Sequence, residues 1–183
     1  MEDQEIVVLL RPDGTPMGTS PKQTVHTSDT PLHLAFSCYL LDDAGRMLMT
    51  RRALSKQSWP GVWTNSFCGH PAPGESFEAA LRRRARQELG VELDRITERV
   101  PDFRYRAVDA GGVVENEVCP VFTATTSSQI SPDPAEVVEW EWVTPQDLLT
   151  SATTAPFAFS PWLRSQLPQL FAASAFSGAP AGD

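Results

Sequence analysis

The stretch GHPAPGESFEAALRRRARQELGV, Gly69 to Val91, decides how the rest of the chain is read. It predicts a helix from about Ser76 to Leu89, with Glu75 and Ser76 suited to the N-terminus and Gly90 to the C-cap. At 100° per residue, Phe77, Leu81, Ala85 and Leu89 form one apolar stripe, while Arg82, Arg83, Arg86 and Gln87 project away. Arg84 and Glu88 break the pattern. By the same period they fall within about 20° of Phe77, on the core-facing side. Charges on a buried face are costly unless paired or bound to an ion. Two readings follow: an Arg84–Glu88 pair at i,i+4, or Glu88 facing a metal and Arg84 an anion.

Outward from this helix the elements are mostly strands. Ile6 to Leu10 precedes the turn Pro12-Asp13-Gly14, a hairpin signal. Lys22 to Thr30 is polar and reads as loop. His33 to Leu41 and Met47 to Arg52 flank the turn Asp42–Gly45 and read as a second hairpin. Trp59 to His70 reads as irregular with one short strand. Further strands are expected at Val100 to Val108, Val113 to Thr123 and Val138 to Val143. Thr144-Pro145 and Ser160-Pro161 each start a helix by the N-cap and N1 rule, the second ending near Ala172. Residues 1–172 are thus expected to form one α/β (α+β) domain, a mixed sheet flanked by helices. The small, Gly- and Pro-containing tail 173–183 is expected to be frayed.

Composition narrows the function classes. The formal net charge of -8 argues against non-specific nucleic-acid binding, which needs a basic surface. The basic residues present are clustered, as Arg51, Arg52 and Lys56 and then Arg82, Arg83, Arg84 and Arg86, so a small anion could be held locally. No apolar run approaches the roughly 20 residues of a membrane helix. The acidic start, MEDQE, does not look like a secretory signal, so the cytoplasm is the expected location. Cys38, Cys68 and Cys119 are an odd number, which argues against a disulfide framework and leaves room for a reactive thiol.

The three histidines, His26, His33 and His70, join Glu115 and Glu117 as a candidate metal set. A spacing of two puts both carboxylates on one face of a strand, where like charges repel unless a cation joins them. Imidazoles with carboxylates suit zinc, manganese or ferrous iron better than calcium.

The stretch Gly69–Val91 resembles the Nudix box, the loop–helix–loop signature of enzymes acting on nucleoside diphosphates linked to another moiety. Gly69, Glu75, Arg83, Ala85, Glu88, Gly90 and Val91 fit that pattern, but Arg84 and Gln87 occupy two positions that are acidic in it. Those carboxylates hold magnesium in the hydrolases, so their replacement argues against hydrolysis and suggests a site that grips a diphosphate and leaves it intact. The stretches HTSDTPLHLAFS, LMTRRALSKQSWPGVWTNSFCGHP, DFRYRA, VENEVCPVF and AFSPW extend the likeness. Together they resemble the type 1 isopentenyl-diphosphate isomerases of the Nudix superfamily, over roughly Leu9 to Trp162.

That resemblance implies roles. A divalent transition metal, manganese or zinc, would be held by His26, His33, His70, Glu115 and Glu117, and a magnesium accompanying the diphosphate by Glu88. Cys68 and Glu117 match the catalytic pair, supported by Tyr105. Lys22, Arg52, Lys56 and Arg84 match diphosphate-contacting positions, and Trp162 an aromatic near the hydrocarbon end. By spacing, Cys119 rivals Cys68, since it shares a strand face with Glu115 and Glu117; the resemblance favours Cys68. The implied activity is the interconversion of isopentenyl and dimethylallyl diphosphate, on a small-molecule substrate, by a monomer or weak dimer. A Nudix-type pyrophosphohydrolase and a non-catalytic binding domain on the same fold are the competing readings.

Overall fold

A computed structural model describes residues 5–176. The chain runs β1 (Ile6–Leu10), β2 (Pro16–Pro21), α1 (Lys22–Val25), β3 (His33–Leu34), β4 (Phe36–Leu41), β5 (Met47–Arg52), β6 (Trp63–Thr64) and β7 (Phe67–Gly69). It continues through α2 (Phe77–Leu89), β8 (Ile96–Val100), β9 (Arg104–Val108), β10 (Val114–Val118), β11 (Val121–Thr125) and β12 (Val137–Val143). Two helices, α3 (Pro145–Thr154) and α4 (Pro161–Ala172), close the described part, with a 3-10 turn at Pro156–Ala158 between them.

The mixed α/β class is as expected, but the strands build two sheets. One has the order β2-β1-β3-β10-β9 and the other β12-β5-β4-β11-β8, with β6 on β5 and β7 on β4. Each contains one parallel pair, β3 with β10 and β4 with β11, and its other pairs are antiparallel.

Three runs expected to be single strands are each broken where they pass from one sheet to the other. The breaks fall at Ala35, at Pro101–Phe103 and at Cys119-Pro120. Pro120 has no N–H for a ladder, and its fixed φ favours a corner. The corners are stitched together: Ala35 N–H donates to Val118 O at 2.9 Å, Ser37 N–H to Pro120 O at 3.1 Å and Cys119 N–H to Phe103 O at 2.8 Å. Two smaller corrections concern loops. Lys22 to Val25 winds one helical turn, and the Trp-rich segment carries two short strands, β6 and β7.

The second sheet is covered on both faces. On β4 the alternate residues Phe36, Cys38 and Leu40 pack with Leu81, Ala85 and Leu89 of α2, and Tyr39 packs with Leu163, Leu167 and Leu170 of α4. Each fully buried leucine contributes about 1.5–3 kcal/mol on these faces.

Helix α2 follows its sequence signals. Ser76 Oγ accepts from Ala79 N–H at 3.2 Å, and Gly90 ends the helix at φ 66°. A side chain at Gly90 would also meet Ser131 O at 2.7 Å. Arg84 and Glu88 are buried, 5% and 8% exposed, as the helical period requires. Helix and β7 approach so closely that a Cβ on Gly69 would lie 2.7 Å from both Arg84 Cγ and Phe36 Cζ. That close approach fixes Cys68 and His70, on either side of Gly69, against the helix.

At the far end Ala173–Phe176 form a turn, with Ala175 buried and Phe176 packed edge-to-face on Phe171 at 5.2 Å. The rest of the expected frayed tail, 177–183, lies outside the described residues.

Candidate active site

The strand corners bring the candidate metal residues together. In the register of the first sheet, Glu117 on β10 stands beside His33 on β3 and opposite Tyr105 on β9. His26 follows α1 and His70 follows β7. The ligand atoms of His26, His33, His70 and Glu117 all lie within 4.8 Å of one another. Glu117 Oε1 is 3.4 Å from His33 Nε2 and 3.2 Å from His70 Nε2.

The donor chemistry of this group fits a metal. His33 Nδ1 is 2.9 Å from Pro31 O, an acceptor, so Nδ1 carries a proton and Nε2 faces Glu117. Burial opposes a charge on this ring, but the Glu117 carboxylate beside it raises its pKa, so proton and metal compete for Nε2. Among the described residues, His26 Nε2, His33 Nε2 and His70 Nδ1 are buried without a hydrogen-bond partner. Buried polar atoms are rarely left so. A cation held among the rings would give these nitrogens a partner.

The electrostatics agree. Burial drives the pKa of His70 down to about 3, despite the opposing pull of Glu117, so this ring is neutral. Burial would raise Glu117, but the hydrogen bonds from His33 and His70 hold it well below the carboxylate range. Neutral imidazole and ionised carboxylate are the forms that bind metal.

Glu115, the fifth expected ligand, stands on the edge of the group. Its Oε2 is 3.0 Å from His26 Nε2, and its Oε1 accepts from Ser58 O–H at 2.5 Å. Asn116, between the two glutamates, turns to the other face and donates to Thr30 O at 3.2 Å. Glu88 lies apart, in the ion pair with Arg84 that the helical spacing anticipates, with Arg84 Nε donating to its Oε1 at 3.0 Å.

Beside the histidines opens a cavity of about 360 Å³. Lys22, Arg52, Lys56 and Arg84 line it, and so do Glu88, Cys68, Tyr105 and Trp162. The cations are balanced by two carboxylates that sequence reasoning missed. Glu5 pairs with Lys22, and with Arg84 at 3.0 Å; Glu136 pairs with Lys56, and with Arg84 at 3.5 Å. Glu5 and Glu136 come from segments far from the helix, with no local pattern to mark them. Four cations against Glu5, Glu88 and Glu136 leave this part of the cavity suited to an anion.

The rest of the cavity is aromatic and thiol-lined. Trp162, 3% exposed, sits in the first turn of α4, with Trp59 edge-on at 5.5 Å, Tyr105 tilted at 5.8 Å and the Arg52 guanidinium carbon 5.6 Å from its ring centroid. Burial pushes the Cys68 thiol up to about 11, against hydrogen bonds from Ser37 and Asn65, so it rests protonated. Burial likewise raises Tyr105 well above the phenol range, with Glu117 adding to the effect. Cys119 is buried and reaches Ser37 Oγ at 3.4 Å, packing beside the site while Cys68 lines the cavity.

Comparison with known proteins agrees with this geometry. The NUDIX domain family matches residues 31–164. The Isopentenyl-diphosphate Delta-isomerase of Leifsonia xyli subsp. xyli is 61% identical over 173 residues, covering 93% of this chain and 94% of that protein. The enzyme of the same name from Clavibacter michiganensis subsp. michiganensis is 60% identical over 167 residues, covering 91% and 86%. Among solved structures, DR0079 from Deinococcus radiodurans superposes with a TM-score of 0.70 at 21% identity, over 90% of this chain and 98% of that one. The MutT protein from Methanosarcina mazei Go1 gives 0.61 at 16% identity, over 78% and 94%. At these identities the structural likeness concerns the fold.

Proposed function

The chain belongs to the NUDIX domain family and, within it, to the isopentenyl-diphosphate Delta-isomerases, and we propose that it interconverts isopentenyl and dimethylallyl diphosphate with Cys68 and Glu117 as the proton-handling pair. The observation that carries this reading is one cavity holding a protonated thiol, an ionised glutamate and an anion-binding set of cations. Moving the double bond requires a proton added at C4, a tertiary cation at C3 and a proton lost from C2. An alkene is a very weak base, so both proton-handling groups must be poised against it. Cys68 and Glu117 serve as those two groups, each an acid in one direction and a base in the other, with the Tyr105 hydroxyl beside Glu117. The indole face of Trp162 stabilises the cation without a nucleophile to trap it, by roughly 0.5–2 kcal/mol. Lys22, Arg52, Lys56 and Arg84 anchor the diphosphate by charge-assisted bonds.

In this reading His26, His33, His70 and Glu117, with Glu115 at the edge of the group, would hold a divalent transition metal, manganese or zinc, which when bound would supply Lewis acidity at the Glu117 carboxylate. Glu88, whose bonds from Arg84 both go to Oε1, would hold through its other oxygen a magnesium ion accompanying the diphosphate. Ser58 supports the metal through Glu115. Ser58→Ala is expected to weaken transition-metal binding by about 10–100-fold, read by titration against a chelator. Unchanged affinity would show that the Ser58 bond to Glu115 does not support the metal.

The pyrophosphohydrolase reading fares worse, because Arg84 and Gln87 stand where the Nudix box needs carboxylates, and in the fold Arg84 pairs with Glu88. Incubation with isopentenyl diphosphate, followed by phosphorus NMR, separates the two. Dimethylallyl diphosphate with no free phosphate is the expected product; release of phosphate from nucleoside diphosphate derivatives without isomerisation supports the hydrolase. We place the enzyme in the cytoplasm as a monomer or weak dimer, with residues 1–172 as one domain. Among the described residues no helix is long and apolar enough to cross a membrane, and the charge of -8 gives nucleic acid no attractive surface.

A further inference from the structure

Asn65 belongs to none of the groups above, yet it is fully buried and touches two of them. Its amide orientation is settled by two backbone carbonyls: Nδ2 donates to Phe67 O at 2.8 Å and to Cys38 O at 3.1 Å. Carbonyls only accept, so the NH2 group must face them and Oδ1 must face the other way. On that side Oδ1 accepts from Trp162 Nε1–H at 3.0 Å, from Thr64 O–H at 2.9 Å and from the Cys68 thiol at 3.4 Å. Nδ2 also lies 3.3 Å from Cys68 Sγ.

We infer that Asn65 is the positioning residue of the reaction: one amide sets the placement of the Cys68 sulfur and, through the indole N–H, the ring of Trp162. This inference rests on the isomerase reading. The thiol must meet one face of a five-carbon chain while the indole faces the cation formed on it, so the two have to be set relative to each other. A bond to the edge of the indole leaves the ring face for the cavity, where Arg52 already lies over it. The sulfur has a second anchor, Ser37 Oγ at 3.4 Å, itself held by Gln166 Nε2 at 2.9 Å. Among the described residues, Asn65 alone hydrogen-bonds both the Cys68 sulfur and the Trp162 ring. The diphosphate anchors Lys22, Arg52, Lys56 and Arg84 bond elsewhere among the described residues, to Glu5, Ser58, Glu136 and Glu88.

The test is Asn65→Ala in the metal-loaded enzyme, with kcat measured on isopentenyl diphosphate and affinity measured with inorganic pyrophosphate as a competitor. A misplacement of about 1 Å in a reacting group lowers kcat on the order of 10–100-fold, while pyrophosphate affinity stays within about twofold of the parent. A kcat within about threefold of the parent, or a loss shared equally by kcat and pyrophosphate affinity, would overturn the inference. Should Asn65→Ala not fold, Trp162→Phe carries the test, since it keeps an aromatic ring and deletes the N–H that Asn65 holds. A lowered kcat with unchanged pyrophosphate affinity is again expected, and parental kcat would overturn it. An inactive parent enzyme would instead overturn the isomerase reading, and this inference with it.

Discussion

Cys68→Ala is expected to lower isomerisation by at least about 10³-fold, within the range that a positioned acid or base contributes, while the protein folds and binds metal as before. The sulfur lies in the cavity with hydrogen-bonding groups on Ser37 and Asn65, and its removal deletes one of the two proton-handling groups. The substitution is small, and Cys68 is only partly buried, so the fold has little to lose. Its neighbour Cys119 cannot take over, because it is buried and held at Ser37 Oγ, outside the cavity lining. Steady-state rates, with circular dichroism and metal content as controls, check this. Near-parental turnover would remove Cys68 from the mechanism.

Metal removal should have the second large effect, on both activity and stability. Stripping leaves Glu117 ionised among imidazoles of which His26 Nε2, His33 Nε2 and His70 Nδ1 lack a hydrogen-bond partner among the described residues. Activity is expected to disappear and to return with manganese or zinc. Stability should follow by linkage. At free metal about 100 times the dissociation constant, binding adds ~2.7 kcal/mol to the folded state. For a domain of this size that raises the melting midpoint by roughly 5–10 °C. Scanning calorimetry with and without added metal measures it. A midpoint indifferent to manganese and zinc would rule out tight binding by His26, His33, His70 and Glu117.

Much of α2 was legible because its period is unambiguous. The misplaced Arg84 and Glu88 were visible from spacing alone, and they proved to be buried and paired. The strands were legible as elements but not as sheets. An apolar run such as His33 to Leu41 looks the same whether it stays in one sheet or turns at Ala35 into another, since the turn is fixed by Val118 O far along the chain. Pro120 did carry a signal, because a proline inside an apparent strand marks its end.

The site was legible only in part. Glu115 and Glu117 could be placed on one face by their spacing, but no spacing links His26, His33 and His70 to them; the two-sheet corner does. Residue type alone suggested the set, and the likeness to a known family gave it weight. Asn65, Ser37 and Gln166 drew no notice because polar side chains are ordinary in a sequence. Their importance lies largely in distant partners: Ser37 with Cys68, 31 residues away, Asn65 with Trp162, 97 away, and Gln166 with Ser37, 129 away. The run Thr64-Asn65-Ser66, three polar residues fully or nearly buried beside the thiol, was the one local hint.

The central claim is that this cavity moves protons on a diphosphate ester and leaves the diphosphate whole. It is tested most directly by incubating the metal-loaded enzyme with isopentenyl diphosphate in deuterium oxide and following proton and phosphorus NMR together. The account predicts dimethylallyl diphosphate carrying deuterium in the methyl group formed from C4, with the diphosphate signals intact. Appearance of free phosphate, or recovery of unlabelled and unconverted isopentenyl diphosphate from metal-loaded protein, would contradict it.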